Sequence, residues 1–307
     1  MEIFNTPDRF ASGGRKVSLA IGMFDGVHLG HQQVIRQAVT DAEQHEGLAV
    51  AVTFDRHPNS IVAPDRVPPL IYSSSQKMRA LSSLGVHATF VIPFTRQFSE
   101  QPADAFIQSL TQSLGPVHSI CVGSSFTFGH RRSGNVPLLK QLGAALGFTV
   151  HGIAAVSLDG EAVSSTRIRE AVRRGDFDDA SQMLGREYAL HGRVIRGDSL
   201  GRQLGFPTAN LDVRDIRVPQ PGVYVVHAYI DGRRHRAVAN IGHRPTLDQP
   251  TPAVRVEAHL LDVDADLYDR EMELTFVEKL RDEQKFPSVE ALRDQIAKDI
   301  ADARSKF

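Results

Sequence analysis

The chain has 307 residues, a single cysteine, and 35 basic against 36 acidic side chains. At roughly 100–200 residues per domain this length suggests two domains, and 41% hydrophobic with 23% charged residues is the make-up of an ordinary globular protein. Lone Cys121 excludes a disulfide scaffold or a thiolate zinc site, the charge balance argues against a protein devoted to nucleic acid, and no run approaches the roughly 18 apolar residues of a membrane span. The first residues lack an apolar signal core, so the cytoplasm is the expected location.

In chain order, Val17–Ile21, Leu48–Phe54, Thr89–Ile92, Ile120–Val122 and Phe148–Ile153 have the length and β-branched or aromatic content of strands. Between them the spacing predicts helices over His31 to about Gln44, Ser75–Leu84, Ala103–Leu114 and Val136–Leu146, several closed by a glycine: Gly85, Gly115 and Gly147. Such alternation implies a doubly wound parallel sheet with helices on both faces, whose ligands bind beyond the carboxyl ends of the strands. Two short helical pieces, Ser165–Arg174 and Asp178–Leu184, complete the first half, and the join falls around residues 184–188.

The pattern then changes to closely spaced strands: Tyr188–Ile195, Gly222–Ile230, His235–Asn240, Ala253–Leu261 and Glu271–Val277. Asp231-Gly232 is a hairpin signal, and the whole suggests an antiparallel barrel or sandwich. Alternation in Val254–Leu260 puts Glu257 and His259 on one face. A last helix runs from its N-cap Ser288 to about Ala303. The expected domains are 1–184 and 185–307.

Two segments of the first half carry candidate chemistry. After the first predicted strand comes Gly22-Met23-Phe24-Asp25-Gly26-Val27-His28-Leu29-Gly30-His31, with glycines that admit close backbone approach and two histidines where a helix begins. A helix N-terminus suits phosphate, and imidazoles there can stabilise charge during attack at phosphorus; metal ligation or simple capping are the alternatives. Val163-Ser164-Ser165-Thr166-Arg167-Ile168-Arg169 sets hydroxyls at a helix start and arginines in its first turn, a phosphate clamp or an ordinary capped, solvated helix. The basic runs 130–132 and 233–236 read as solvated faces, the first with a possible approach to phosphate.

Together the HxGH and SSTxIR segments resemble the nucleotidyltransferases that attack the α-phosphate of ATP and release pyrophosphate. Thr53-Phe54-Asp55-Arg56-His57-Pro58, Val122–Gly129 and above all Gly201-Arg202-Gln203-Leu204-Gly205-Phe206-Pro207-Thr208-Ala209-Asn210-Leu211 narrow this. From about Val17 to Arg304 the chain resembles the bacterial bifunctional riboflavin kinase/FMN adenylyltransferases, also called prokaryotic FAD synthetases. The resemblance implies an α/β chain: a nucleotidyltransferase domain, then a β-barrel kinase domain with a terminal helix. His28 and His31 would act on the ATP phosphates, with Gly22, Phe24, Gly30, Ser164, Thr166, Arg167 and Arg169 holding the nucleotide. Phe54, His57, Ser125, Phe126 and Phe128 would meet flavin.

No Walker loop or protein-kinase signature occurs. In the second half the resemblance makes Thr208 and Asn210 the holders of the Mg²⁺ of MgATP, oxygen ligands of the kind magnesium prefers. It places Gly201 and Arg202 at nucleotide, Arg281 at flavin, and Glu257 as the base that takes the proton of the attacking hydroxyl. By itself, a carboxylate on that strand is more often the solvent-facing partner of an arginine. His259 and Glu283 fall on family segments of lesser weight. Two departures stand out: Ser125 where asparagine is usual, which would cost a phosphate or metal contact, and Asp269 for a common glycine. ATP, riboflavin and FMN are thus the expected ligands, with no nucleic acid or membrane partner and oligomeric state left open. A kinase-only enzyme weakened at Ser125 and a non-catalytic flavin sensor are the alternatives.

Overall fold

A computed structural model describes residues 1–197, 200–244, 253–263 and 265–307. The chain forms two compact units, one of Met1–Leu70 with Ser74–Ser165, the other of Ile71–Ser73 with Thr166–Phe307.

The first unit holds a six-stranded sheet: β1 (Glu2–Phe4), β2 (Val17–Ile21), β3 (Leu48–Phe54), β4 (Ala88–Ile92), β5 (Val117–Gly123) and β6 (Thr149–Ile153). The spatial order is β1-β4-β3-β2-β5-β6 and every pairing is parallel. All five side chains of β2 are buried, as both faces of a helix-covered sheet require. Val17, Leu19 and Ile21 pack on one face with Val50, Val52, Ile120 and Val122, while Ala20, Ala51 and Cys121 pack on the other. Helices α1 (Leu29–Gln44) and α2 (Ser74–Ser83) supply Ile35, Ala38 and Leu81 to the second face. Helices α3 (Ala103–Ser113) and α4 (Val136–Leu146) supply Phe106, Ile107 and Leu139 to the first. Gly147 caps α4 in the left-handed conformation that its lack of Cβ makes cheap. The strand order reverses between β2 and β5, so their carboxyl ends flank the crevice where an open parallel sheet binds ligands.

The second unit is a closed antiparallel barrel, which decides between the barrel and the sandwich that the strand spacing allowed. Its strands are β7 (Ala189–Ile195), β8 (Ala209–Leu211), β9 (Gly222–Ile230), β10 (Arg233–Arg244), β11 (Ala253–Leu260) and β12 (Glu271–Arg281), in the order β7-β8-β11-β10-β9-β12 and back to β7. Strands β10 and β12 run several residues beyond the expected His235–Asn240 and Glu271–Val277, and β8 and β1 had no counterpart among the expected strands. Helices α5 (Ser165–Arg174) and α6 (Phe177–Leu184) precede the barrel, and Phe177 stacks on Phe276 at 4.5 Å. Ser73 and Tyr72 bond to His191 and Arg186, which explains why this short segment belongs with the barrel. Helix α7 (Val289–Arg304) starts at Ser288, whose hydroxyl accepts the Ala291 N–H at 3.1 Å, the expected N-cap.

Candidate functional site

In the first unit, β2 runs into a tight, strained turn. Phe24 (φ 50°), Gly26 (φ 78°) and Val27 (φ 41°) all take positive φ, and for a bulky or β-branched residue that conformation is costly. The turn delivers His28 to the N-cap of α1, where its Nδ1 accepts the His31 N–H at 3.4 Å. A neutral His28 with Nδ1 accepting carries its proton on Nε2, and so keeps a donor. The two imidazoles lie face to face, centroids 3.6 Å apart, with the edge of His31 on buried Phe24. Gly30 leaves room for the stacked imidazole, since a Cβ there would crowd the His28 ring at 3.2 Å. Ser165 Oγ donates to the Asp25 carbonyl at 3.0 Å and so joins the second motif to the first.

A cavity of about 430 Å³ opens above this turn. Gly22, Phe24, His28, Gly30, His31 and Ser164 line it together with Phe54, Ser125 and Phe126. Apart from Ser164, these follow β2, β3 and β5, where the reversal of strand order puts a crevice. Five of the expected site residues are not in this lining. Phe128 is 7% exposed and stacked behind Phe126 at 5.4 Å, so it belongs to the core and supports an aromatic wall without meeting a ligand itself. His57 turns its Nδ1 to the Asn59 N–H at 3.1 Å, fixing the turn after β3. Thr166, Arg167 and Arg169 lie on α5 within the second compact unit, where Arg167 approaches Asp179 at 4.0 Å.

In the barrel the ladder does the positioning. Glu257 on β11 is directly opposite Asn210 on β8 and Asn240 on β10. Cross-strand neighbours share a face, and all three line one cavity of about 320 Å³. Arg255 Nη1 stands 3.5 Å from Glu257 Oε1, so Glu257 is indeed an arginine's partner while it also faces the cavity. Gly201 sits so close to the Phe206 carbonyl and Thr208 that a Cβ would collide at 2.5 Å, which folds the 201–208 loop onto the barrel. His259 is held on the Pro207 carbonyl at 2.7 Å. Val223, Val238, Phe286 and, from α7, Leu292, Ile296 and Ile300 make an apolar stretch of the wall, and Glu283 and Gln284 are polar members of it. Arg281 lines it too, but its guanidinium forks onto buried Asp299 of α7 at 2.7–3.1 Å, and Gln295 donates to the same carboxylate. Arg281 thus pins the helix that closes the cavity.

Thr208 also borders a second cavity of about 410 Å³ with Arg202, Val194, Leu260, Leu267 and Tyr268. The Thr208 hydroxyl and Asn210 amide oxygen are hard ligands of the kind Mg²⁺ takes alongside water and phosphate. A Cβ on Gly197 would fall on the Asn210 amide, so the glycine keeps that space open. The residues present therefore fit a magnesium ion that brings its phosphates with it. Among the described residues there is no cluster of three or more His, Cys, Asp and Glu able to hold a metal without such help. Asn240 and Arg255 escaped the sequence reading; the signal was there for Asn240, a lone amide within the apolar run Ala237–Ile241.

Comparison with known proteins gives the family of each half. A family model described as FAD synthetase matches residues 12–167, and one described as riboflavin kinase matches residues 184–307. The architecture is thus that of a nucleotidyltransferase-type unit followed by a flavokinase barrel. The bifunctional riboflavin kinase/FMN adenylyltransferase of Pseudomonas fluorescens is 40% identical over 286 residues, 93% of this chain and 91% of that one. Those of Haemophilus influenzae and Escherichia coli K12 are each 36% identical, covering 94% of this chain and 94% and 92% of theirs. A crystal structure from Streptococcus pneumoniae titled as a macrolide-efflux protein superposes with a TM-score of 0.82 at 29% identity, covering 98% of both chains. Among the described residues no helix is long and apolar enough to cross a membrane. The chain belongs to the family of bifunctional riboflavin kinase/FMN adenylyltransferases.

Proposed function

We propose that this chain makes flavin nucleotides in two ATP-dependent steps, the half from residue 185 to 307 phosphorylating riboflavin and the half from 1 to 184 adenylylating FMN. The observation that carries this reading is the pair of cavities, each with its own reactive groups: His28 and His31 in one, Glu257 with Thr208 and Asn210 in the other.

In the kinase step the isoalloxazine occupies the apolar cavity under α7, and the adenine of ATP the cavity beyond Thr208, near Arg202 and Gly201. The terminal hydroxyl of the ribityl chain attacks the γ-phosphorus, Glu257 accepts the proton, and ADP leaves. Arg255 pairs with the glutamate before substrate arrives. Thr208 and Asn210 would hold Mg²⁺, which when bound neutralises charge on the phosphates. Arg281, through Asp299, keeps α7 over the flavin.

In the adenylyl step a phosphate oxygen of FMN attacks the α-phosphorus of a second ATP and pyrophosphate leaves. His28, donating from Nε2, and His31 stabilise the charge that builds on the phosphoryl oxygens, assisted by the N–H groups at the start of α1. Ser164 and the backbone at Gly22 and Gly30 bind the nucleotide, and Phe54 and Phe126 flank the flavin. Thr166, Arg167 and Arg169 fit the triphosphate by chemistry. The location that suits both reactions is the cytoplasm, where ATP is made.

Riboflavin, ATP and Mg²⁺ incubated with the protein and resolved by chromatography test the reading. Successive appearance of FMN and FAD is expected. FMN alone would reduce the chain to a kinase with its first site impaired at Ser125, and unchanged riboflavin on a tight-binding protein would make it a sensor.

A further inference from the structure

Lys77 has no part in the reactions just described, yet it is the kind of residue that is seldom buried without a task. It lies on α2 at 8% exposure. Its Nζ donates to the Phe54 carbonyl at 3.1 Å and to Thr53 Oγ1 at 3.3 Å. Thr53, fully buried, donates its own hydroxyl to the Met23 carbonyl at 3.0 Å. One ammonium therefore ties together the chain leaving β2 and the chain leaving β3, and Met23 and Phe54 both line the cavity that holds His28. Two carboxylates act on it from different elements: Asp25, 4% exposed in the strained turn, and Asp55, just beyond β3. Asp55 is itself held by the Phe94 N–H and by Arg56. Burial pulls the Lys77 ammonium down from 10.5 to about 8, with the two carboxylates working against that fall.

A methionine would fill this position without the desolvation that an ammonium suffers. What only the ammonium supplies is a set of directed N–H bonds and a positive charge beneath a cavity proposed to receive two polyanions. That charge acts on Asp25 and, together with Arg56, on Asp55, which follow the cavity-lining Phe24 and Phe54 in the chain.

We propose that Lys77 is a positioning residue for adenylyl transfer: its ammonium fixes the Met23–Asp25 turn from which His28 is presented, and cancels the two carboxylates under the nucleotide. This inference rests on adenylyl transfer taking place at His28, and the test keeps the two apart.

In the full chain, conversion of FMN and ATP to FAD is followed from pH 6 to 10 for wild type, Lys77→Met, Lys77→Arg and His28→Ala, with the riboflavin kinase rate and the melting midpoint measured on each. Wild-type kcat should fall as pH rises through about 8, because that is where the ammonium loses its proton. Lys77→Met should lose at least roughly tenfold in kcat at neutral pH with little change in KM for FMN, and its profile should lack that alkaline fall. Lys77→Arg, which keeps its charge throughout, should recover most of kcat and stay active above pH 8. The kinase rate should be unchanged in both. A Lys77→Met protein with wild-type kcat and the same alkaline fall overturns the proposal. So does equal loss of both activities with a lowered melting midpoint, or failure of a kinase-competent Lys77→Arg to recover. If His28→Ala makes FAD normally, the placement of the reaction fails instead, whatever the lysine variants do.

Discussion

In the parallel-sheet unit the candidate groups hang from loops beyond the strand ends, at the start of a 16-residue helix; in the barrel they stand on the strands themselves, with Asn210, Glu257 and Asn240 in adjacent register. The first arrangement relies on backbone N–H groups, a helix dipole and a turn carrying three positive φ values. The second relies on a hydrogen-bonded ladder that fixes each carboxylate and amide to within the tolerance of a β-sheet. A loop-borne site owes its geometry to secondary supports such as Ser165, Thr53 and Lys77. A ladder-borne site needs few, and its weak point is the helix that closes it.

Substitutions sharpen this contrast, and the largest expected effect is at the barrel base. Glu257→Ala should slow FMN formation by roughly 10²–10⁴ while supplied FMN still becomes FAD at the wild-type rate; equal damage to both steps in a stopped-time chromatographic assay would erase the distinction between sites. Next, His28→Ala should lower FAD formation by roughly 10²–10³, the usual cost of one donor to developing charge, with the kinase step spared. Asp299→Ala tests the closing helix. Arg281 would be left beside the flavin cavity without its fork partner, and because its side chain is 22% exposed the loss should be roughly 2–3 kcal/mol, less than for a fully buried pair. Riboflavin affinity in a fluorescence titration should fall with it, and His28-dependent FAD formation from supplied FMN should not. The smallest effect is expected from Ser125→Asn, which adds an amide to the exposed serine on the first cavity's rim; FMN should bind a few-fold more tightly, by roughly one extra hydrogen bond, and unchanged affinity would show that the serine costs nothing.

Lys77 adds a test of opposite sign. Its folded pKa lies below that of a lysine in water, so between about 8 and 10.5 the unfolded chain holds a proton that the folded chain lacks. Stability of the first unit should therefore rise with pH across that window, while adenylylation declines. Denaturant midpoints at pH 7.5 and 9.5, compared between wild type and Lys77→Met, would show whether that gain belongs to the lysine.

Both layers of the first unit were legible because strand–helix alternation is a local signal, and Val136–Leu146 and Gly222–Ile230 fall where pattern put them. Strand β8 was not, since Pro207-Thr208-Ala209-Asn210 reads as a turn, and Ala209–Leu211 become a strand only by pairing with β7 and β11. At the sites, His28, Phe54, Phe126, Thr208 and Glu257 could be picked out by motif and strand face. Lys77 could not. In Ser74-Ser75-Gln76-Lys77-Met78-Arg79 it looks like any solvated helix position, and only the distant end of β3 buries it. Arg281 was picked for the cavity but its bond to Asp299, 18 positions away, is a tertiary fact. Phe128 shows the reverse case, an aromatic in a motif whose task is to back another aromatic.

Thr208 borders the cavity under α7 and the one beside Tyr268 alike. A single side chain is thus the party wall between two tenants, and a bulkier replacement intrudes on both. On the placement of riboflavin and ATP proposed above, changes in sugar-chain preference and in purine preference should be coupled at that position, and a variant selected for one new substrate should show an altered preference for the other.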